Sequence, residues 1–372
     1  MAMSNGDWPV DILTEILLKL PVKSILRFKC VAKTWCDLFQ NPSFVSQHLS
    51  ISKKNKRLLV YYHDDNNDNI VMRLFVYQTL VSYHDLHQQL PSHIADLYVL
   101  TFCVYNGLFC LCDHKNSRIT LWNPATREFK ILPECNQNIP PKVETYIHIL
   151  GFGLDPLSND YKVIYMRDYL DLEKNMAGPT HYAVYRMSTD SWRVLNEEDV
   201  QFFQDLSICY SSNNACVNGV YYWNVFKFVE HGPSFIDNKI LAFYLGTEVF
   251  QLIESPCPES PGKLLPLHDD LISLWYIEMT DRDLRSNEVW VLNDDGHWTK
   301  LLKIEPHFVV QRTFGFWKNG KVFLESVSGQ LMLYDLETEE LSEELGIKVR
   351  GGGEDLLRVY TYEESLVAIT SK

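Results

Sequence analysis

The sequence predicts an α+β protein of two parts: a small all-α segment over residues 1–50 and an all-β, six-bladed propeller over residues 51–372. Before residue 50, apolar residues recur at helical spacing. After about residue 56, aromatic and β-branched residues alternate and are interrupted by Gly, Asn, Asp and Pro, a pattern typical of many short strands. A loose repeat of roughly 45 to 60 residues, the size of a four-stranded blade, runs through this second part.

The helical segment is predicted to contain three short helices. The first has one broad apolar stripe, formed by Ile12, Leu13, Ile16, Leu17 and Leu20. It ends at Pro21; a second helix is expected over residues 23–28 and a third over residues 32–39, before Asn41-Pro42. Helices this short cannot bury so much aliphatic surface among themselves. We therefore expect the following domain or a partner protein to cover the stripe.

The β part repeats an aromatic residue, a short polar turn that often contains Thr, and a second strand. The copies begin at Trp122, Tyr185, Phe243, Trp290 and Tyr334. Each copy is predicted to be a hairpin, and a sixth unit is expected over residues 58–77. Residues 357–369 are expected to pair with that first unit and close the ring. A Greek-key sandwich remains the alternative architecture, because the repeats are degenerate and unevenly spaced.

The sequence contains no complete catalytic or nucleotide-binding signature. Gly151-Phe152-Gly153 fails as a dinucleotide loop, since Pro156 occupies the position of the third glycine. His84, His87 and His93 lack the Cys or carboxylate partners of a metal site at motif spacing. We therefore expect no catalytic residue, no metal and no cofactor.

The charge is unevenly distributed along the chain. Residues 1–50 contain five basic and four acidic residues, a net charge of +1. Since the whole chain has a net charge of −14, residues 51–372 have a net charge of −15. A negative field of this size repels nucleic acid and anionic membranes and attracts a basic partner. The alternative interpretation is a solvated acidic surface that maintains solubility.

The sequence also indicates a compartment. Its apolar runs are shorter than the ~20 residues that a spanning helix needs, and the acidic opening residues differ from a secretory signal. The nine cysteines, an odd number without metal-binding spacing, are interpreted as buried free thiols. We expect a cytoplasmic protein.

The first 49 residues contain an ordered set of motifs. A Pro-x-Asp opening precedes the pattern Ile-Leu-x-x-Ile-Leu, the run LPVKSILRFKCV from Leu20, Lys33-x-Trp35, and Asn41-Pro42-x-Phe44. This order resembles the F-box, which docks an adaptor of the Skp family and thereby joins cullin and RING subunits in a ubiquitin ligase. The resemblance implies adaptor contacts from Trp8, Pro9, Ile12, Leu13, Ile16, Leu17, Leu20, Pro21, Val22 and Leu26. Trp8 departs from the family, which usually has Leu there.

The rest of the chain resembles the plant F-box-associated domain, which implies a kelch-like propeller that binds a protein substrate. The likeness lies in WNPATREF from Trp122, GFGLD from Gly151, DYKV from Asp160, STDSW from Ser188 and VNGVYYW from Val217. Within this family the sequence is most similar to the S-locus F-box proteins of pollen. Those proteins recognise non-self S-RNases and direct them to ubiquitination in self-incompatibility.

The two resemblances imply a non-catalytic substrate-recognition subunit of an SCF (Skp-cullin-F-box) ubiquitin ligase, with a basic protein client such as an S-RNase. Acidic loop residues are the candidate substrate contacts: Asp168, Asp171, Glu173, Glu197, Glu198, Asp199, Asp281 and Asp283. Two alternatives stay open. One is an F-box subunit for another plant signalling or immune protein, and the other is a stand-alone β-propeller enzyme or lectin.

Overall fold

We analysed a computed structural model of the chain. It describes residues 9–64, 69–94, 100–113, 118–135, 143–171, 176–177, 181–196, 198–200, 206–208, 214–228, 236–260, 262–267, 271–279, 285–305, 310–348 and 357–369. Helices form the N-terminal part, which we call the head (residues 9–54), and six β-sheets follow.

The head contains four helices rather than three: α1 (Val10–Leu18), α2 (Val22–Phe28), α3 (Lys33–Gln40) and α4 (Pro42–Lys54). The first three confirm the predicted helices. α4 is not among the predicted helices, because Asn41-Pro42 marks the end of α3 and here also begins a further helix. In the structure the Asn41 side chain accepts a hydrogen bond from the Ser43 amide at 2.8 Å, and Pro42 begins the first turn, where no N–H is needed. The predicted domain division at residue 50 therefore falls inside α4.

The β part forms six antiparallel sheets, which confirms the six-bladed propeller. Blade 1 contains β1 (Arg57–Asp64), β2 (Asn69–Val76), β3 (Ser82–Asp85) and β26 (Leu357–Tyr362). Blade 2 contains β4 (Leu100–Tyr105), β5 (Leu108–Asp113), β6 (Arg118–Asn123) and β7 (Glu128–Ile131). Blade 3 contains β8 (Val143–Asp155), β9 (Asp160–Asp171), β10 (Met176–Ala177), β11 (His181–Arg186) and β12 (Ser191–Val194). Blade 4 contains β13 (Ser207–Ile208), β14 (Asn214–Val217), β15 (Val220–Phe228), β16 (Ile236–Tyr244) and β17 (Val249–Glu254). Blade 5 contains β18 (Lys263–Leu267), β19 (Leu271–Met279), β20 (Arg285–Leu292) and β21 (Trp298–Ile304). Blade 6 contains β22 (Val310–Phe316), β23 (Lys321–Ser326), β24 (Gln330–Asp335) and β25 (Leu341–Lys348).

The C-terminal strand closes the ring. β26 pairs antiparallel with β1, from Arg57 opposite Tyr362 to Tyr62 opposite Leu357. This confirms the expected closure for residues 357–362 and excludes the Greek-key sandwich. β26 is the inner strand of blade 1, as β4, β8, β14, β18 and β22 are in the other blades. The C-terminus thus supplies a strand without which blade 1 would lack its inner edge.

The strand order gives the propeller two distinct faces. Each inner strand ends on one face, where the chain turns into the second strand, and the turn between the third and fourth strands lies on this same face. The head joins β1 on this side, and we call it the head face. The second and fourth strands of every blade end on the opposite side, which we call the distal face.

The repeat in the sequence corresponds to the hairpin of the third and fourth strands. Its first aromatic residue pairs across the strands, as in Trp122 with Phe129 and Tyr185 with Trp192. Where the turn contains Thr, the residue after it has a left-handed backbone: Arg127, Asp190, Glu248 and Glu339, with φ of 62°, 50°, 56° and 57°. The predicted hairpins are confirmed, and the recurring turn explains the repeat.

Tryptophan side chains join neighbouring blades. Trp122 on β6 and Trp223 on β15 are buried in the cores between blades. On blade 3, Trp192 Nε1 donates to the carbonyl of Pro133, which follows blade 2, at 2.7 Å. On blade 5, Trp298 Nε1 likewise donates to the carbonyl of Glu254 in blade 4 at 2.9 Å. The tryptophans thus stabilise the contact between neighbouring blades both by packing of the apolar ring and by hydrogen bonding of the indole N–H.

A buried ion network joins blades 3 and 4. Lys162 Nζ lies 2.9 Å from Asp155 Oδ2 and 2.8 Å from Glu248 Oε1, and all three side chains are buried. Arg186 and Arg193 each approach Glu248 at 2.7 Å. Burial alone would raise the pKa of Glu248, but the hydrogen bonds from these three cations outweigh it and lower the pKa below its ordinary value. The carboxylate stabilises the folded state only while it is ionised.

We expect Glu248→Gln to lower the free energy of unfolding at pH 7 by about 2 kcal/mol, since it removes one of the two carboxylates that pair with buried Lys162. In the wild type, the contribution of Glu248 is present above the ordinary pKa of a glutamate and is lost as the pH falls through the lower folded-state pKa. Urea unfolding at pH 7, 5 and 4 should therefore show a steeper loss for the wild type than for Glu248→Gln. Glu259→Gln, at an exposed position, is the control and should follow the wild type; equal pH slopes for all three proteins would contradict this account.

Candidate functional site

Helix α1 has an inward and an outward apolar side. Leu17 is 2% exposed and packs with Val22, Ile25 and Phe39 in the core of the head. Ile12 and Ile16, four residues apart and therefore on one side of the helix, are 45% and 48% exposed. The outward side is an apolar surface that the described residues leave partly exposed.

The structure divides the predicted adaptor contacts into three groups. Pro9, Ile12, Ile16 and Pro21 are exposed, whereas Leu13, Leu20 and Leu26 are half-buried. Leu17 and Val22, at 2% and 0% exposure, are inaccessible to a partner. We correct the interpretation of these two residues: they hold the head together because they are the inward half of the stripe. Trp8 lies outside the described residues.

The chain after β26 fastens the head to the propeller. We call residues 363–369 the clasp. The Glu364 carboxylate accepts a hydrogen bond from the Val22 amide at the start of α2 at 3.0 Å, and it pairs with Arg57 Nη1 at the start of β1 at 2.6 Å. Leu366 is buried in the core of the head, which Ala125 of blade 2 also contacts. The propeller thus covers part of the stripe and leaves Ile12 and Ile16 uncovered.

The other side of the clasp is bound to blade 2. Asn123 Nδ2 donates to the carbonyls of Ser365 and Val367, each at 3.0 Å. The Ile369 side chain is 1% exposed in the core between blades 2 and 3. The clasp therefore has one residue in the head and others in the propeller, so the two domains share a core. The sequence analysis did not find this contact, because its partners are distant in the chain.

Four of the predicted acidic contacts lie among the described residues, at or next to strand ends of the distal face. Asp168 and Asp171 lie in the last part of β9, which ends there. Glu198 is exposed, but Asp199 is engaged locally: its carboxylate accepts from the Asn196 amide at 3.1 Å and pairs with Arg193 at 3.3 Å. The remaining predicted contacts lie outside the described residues: Glu173, Glu197, Asp281 and Asp283.

Three other features of the described residues were considered as possible sites: a cleft between two blades, groups that could bind a metal ion, and the histidines. A cleft of about 580 Å³ opens between blades 4 and 5 on the head face, beside Asn218, His297 and Trp298. No group of three or more His, Cys, Asp and Glu residues is arranged to hold a metal ion within the part of the chain that the structure describes. His93, one of the three histidines considered above, instead contacts the Thr120 hydroxyl at 3.0 Å. No described helix is long and apolar enough to cross a membrane.

A helical head lies on one face of a closed propeller, and its first helix has two exposed isoleucines, an apolar surface of the kind that a protein partner covers. The chain belongs to the family of F-box proteins with an F-box associated beta propeller domain. The model of that propeller domain matches residues 71–369, and the F-box domain model matches residues 6–47. Both domain resemblances of the sequence analysis are thereby confirmed.

Relatives of known sequence include plant F-box proteins. A protein of Arabidopsis thaliana named as an F-box protein is 26% identical over 319 residues, which cover 82% of this chain and 70% of the relative. An Arabidopsis thaliana protein named as an F-box/kelch-repeat protein is 25% identical over 320 residues, which cover 80% of this chain and 71% of the relative. These similarities support the family.

Similarity to solved structures is weak. Oligogalacturonate lyase in complex with manganese is 8% identical with a TM-score of 0.42, over 78% of this chain and 74% of that chain. Dipeptidyl peptidase 4 of Porphyromonas gingivalis is 9% identical with a TM-score of 0.39, over 79% of this chain and 45% of that chain. Scores this low identify no activity.

We expect Glu364→Ala to loosen the head without opening the propeller. The change leaves the Val22 amide and Arg57 without their carboxylate, at a cost of about 1 to 3 kcal/mol. Hydrogen exchange measured by mass spectrometry on the full chain should become faster in α1 and α2 and stay unchanged in blades 3 to 5. Glu340→Ala, at an exposed position, is the control; a head that exchanges at the wild-type rate in Glu364→Ala would show that the clasp does not hold it.

Proposed function

We propose that this protein is the substrate receptor of an SCF-type ubiquitin ligase. The single observation that supports this most directly is the exposed pair Ile12 and Ile16 on α1, within the segment that matches the F-box. A helix side of this kind fits the groove or helix face of an adaptor protein of the Skp family. The adaptor then joins the receptor to the cullin and RING subunits.

The proposed receptor has no catalytic step of its own. It holds a client near ubiquitin that other subunits carry, and so raises the effective concentration of client lysines. Adaptor and client bind at opposite faces of the propeller in this proposal. The shared core of the clasp supports this arrangement, because Glu364 and Leu366 hold the head on the propeller and so keep it at a constant distance from the distal face.

The proposed client is a basic secreted ribonuclease of the S-RNase class, bound in pollen as part of self-incompatibility. Two sequence properties support it: the likeness to S-locus F-box proteins and the charge of −15 on residues 51–372 against +1 on residues 1–50. An acidic propeller attracts a basic client and accelerates the encounter. Of the acidic residues proposed for it, Asp168, Asp171, Glu198 and Asp199 lie at or next to distal strand ends, on the side away from the head.

We expect Ile16→Asp to reduce adaptor affinity at least tenfold while the fold is retained. An exposed aspartate is tolerated in the isolated chain, but binding would bury its charge without a partner, at a cost of about 2 kcal/mol or more. Co-purification with a plant Skp adaptor, followed by calorimetric titration, measures the effect.

Two further variants separate docking from folding. Leu301→Asp replaces a residue of similar exposure, 50% against 48% for Ile16, on the outer strand of blade 5 and should bind the adaptor normally. Leu17→Asp should unfold the head, because Leu17 is buried there. Wild-type adaptor affinity in a folded Ile16→Asp protein would contradict the proposed docking surface.

We expect the adaptor complex to capture S-RNases and to bind them more slowly at high salt. Raising NaCl from 50 to 300 mM should reduce the association rate about tenfold and change dissociation little, since the charge acts mainly on the encounter. Surface plasmon resonance with several S-RNases measures both rates, and a basic non-S ribonuclease is the control. Adaptor binding without capture of any S-RNase would remove this client and favour a signalling or immune protein.

A further inference from the structure

Three basic residues lie on neighbouring inner strands near the distal end of the central channel. Lys263 is the first residue of β18 in blade 5, Arg312 is in the first part of β22 in blade 6, and Arg358 is the second residue of β26 in blade 1. These inner strands start on the distal face, so all three residues lie at the end away from the head. The sequence analysis missed them because they are spread over about 95 residues.

Aromatic rings and one carboxylate hold this group together. Lys263 Nζ reaches β22, where it donates to the carbonyl of Thr313 at 3.1 Å and lies 4.3 Å from the ring centre of Phe314. The Arg312 guanidinium lies 5.9 Å from the same ring, and its Nε donates to buried Glu325 at 2.6 Å. Ring faces attract cations, so Phe314 favours both charges on one side of blade 6.

Arg358 adds a third positive charge. Its guanidinium lies 5.9 Å from the ring of Phe102 on β4, the next inner strand. Burial, together with the charges of Arg312 and Arg358, lowers the pKa of Lys263 to about 7, and the opposing effect of Glu325 is smaller. Within the described residues, the group therefore contains three basic side chains and one carboxylate, in a propeller whose net charge is strongly negative.

We propose that the channel cluster, formed by Lys263, Arg312, Arg358 and Glu325, binds one anionic side chain of the client, a carboxylate or a phosphorylated residue, which enters from the distal face. Guanidinium groups present paired donors that match carboxylate and phosphate oxygens. A bound anion would also restore full charge to Lys263. This inference rests on the proposed function, since it names the group by which the receptor recognises its client.

The cluster and the acidic surface select different features of a client. The negative field of the propeller attracts a basic protein and acts at long range. The channel cluster acts only at contact and requires an acidic or phosphorylated side chain. Both conditions together are met by a basic protein with an exposed anionic residue at its point of contact, which is more selective than charge alone.

The test uses the full chain in complex with its adaptor and three fluorescent peptides of sequence Gly-Ser-X-X-Gly-Ser. X is glutamate, phosphoserine or, as the neutral control, glutamine. Fluorescence anisotropy should show binding of the glutamate or phosphoserine peptide at least tenfold tighter than that of the glutamine peptide. Comparison of the two anionic peptides decides between carboxylate and phosphate, and inorganic phosphate should compete with whichever binds.

The binding should weaken between pH 6 and pH 8. In this range Lys263 loses its proton in the free protein, so that binding at pH 8 requires proton uptake. The charged groups that act on Lys263 are Arg312, Arg358 and Glu325, and the backbone carbonyl of Thr313 accepts its hydrogen bond. Neither guanidinium nor the glutamate peptide changes charge over this interval, so the effect measured with that peptide reports on Lys263. The phosphoserine peptide gains negative charge near pH 6 and is therefore compared at a single pH.

Lys263→Met and Arg358→Gln should each reduce the preference for the anionic peptide about tenfold or more. Lys227→Gln removes a positive charge from an exposed position near the distal end of β15, outside the inner strands, and should keep the preference. Adaptor binding should be unchanged in all three variants, so a failure of the cluster is distinguishable from a failure of the receptor role. Equal affinity for the charged and neutral peptides would overturn the proposal, as would an undiminished preference in Lys263→Met. Binding of inorganic phosphate without binding of either anionic peptide would also overturn it.

Discussion

The clasp is the contact on which both domains depend. β26 closes the ring by pairing with β1, and within the next seven residues Glu364 reaches α2 while Ile369 enters the core between blades 2 and 3. One end of the chain therefore completes the propeller and seats the head. Neither domain is a separate folding unit in the usual sense, since the apolar core of the head includes Leu366. A rigid connection of this kind fixes the position of the head relative to the propeller, as the proposed receptor role requires.

The parts of the fold that the sequence predicted are those with local signals. The hairpins are indicated by an aromatic residue followed by a turn that contains Thr. The ring closure was predicted because the first blade otherwise had an exposed strand edge. The fourth helix had a local signal too, because Asn41 followed by Pro42 is a helix start, but it was interpreted as a stop. The clasp had none: Glu364 and the Val22 amide are 342 residues apart, and only the folded chain brings them together. For the same reason the sequence could not separate buried Leu17 from exposed Ile16 within one apolar stripe.

The ion network explains why the family was easier to recognise than the client. Asp155 ends the phrase GFGLD and Lys162 lies in DYKV, the phrases that carried the resemblance to the propeller family. Their side chains meet Glu248 in a buried seam between blades 3 and 4. These residues maintain the scaffold whatever the propeller binds. In the proposed function, specificity belongs instead to strand ends of the distal face, where neither a motif nor a fixed spacing constrains the sequence.

The clasp has a consequence for biosynthesis. The head leaves the ribosome before the clasp, so the head emerges without Leu366 to fill its core and without the carboxylate that caps α2. Translation must pass residues 364–366 before α1 and α2 are held in place. A polypeptide that ends before the clasp would expose a loosely packed apolar head, and chaperones bind surfaces of this kind. Folding of the head is therefore coupled to synthesis of the clasp.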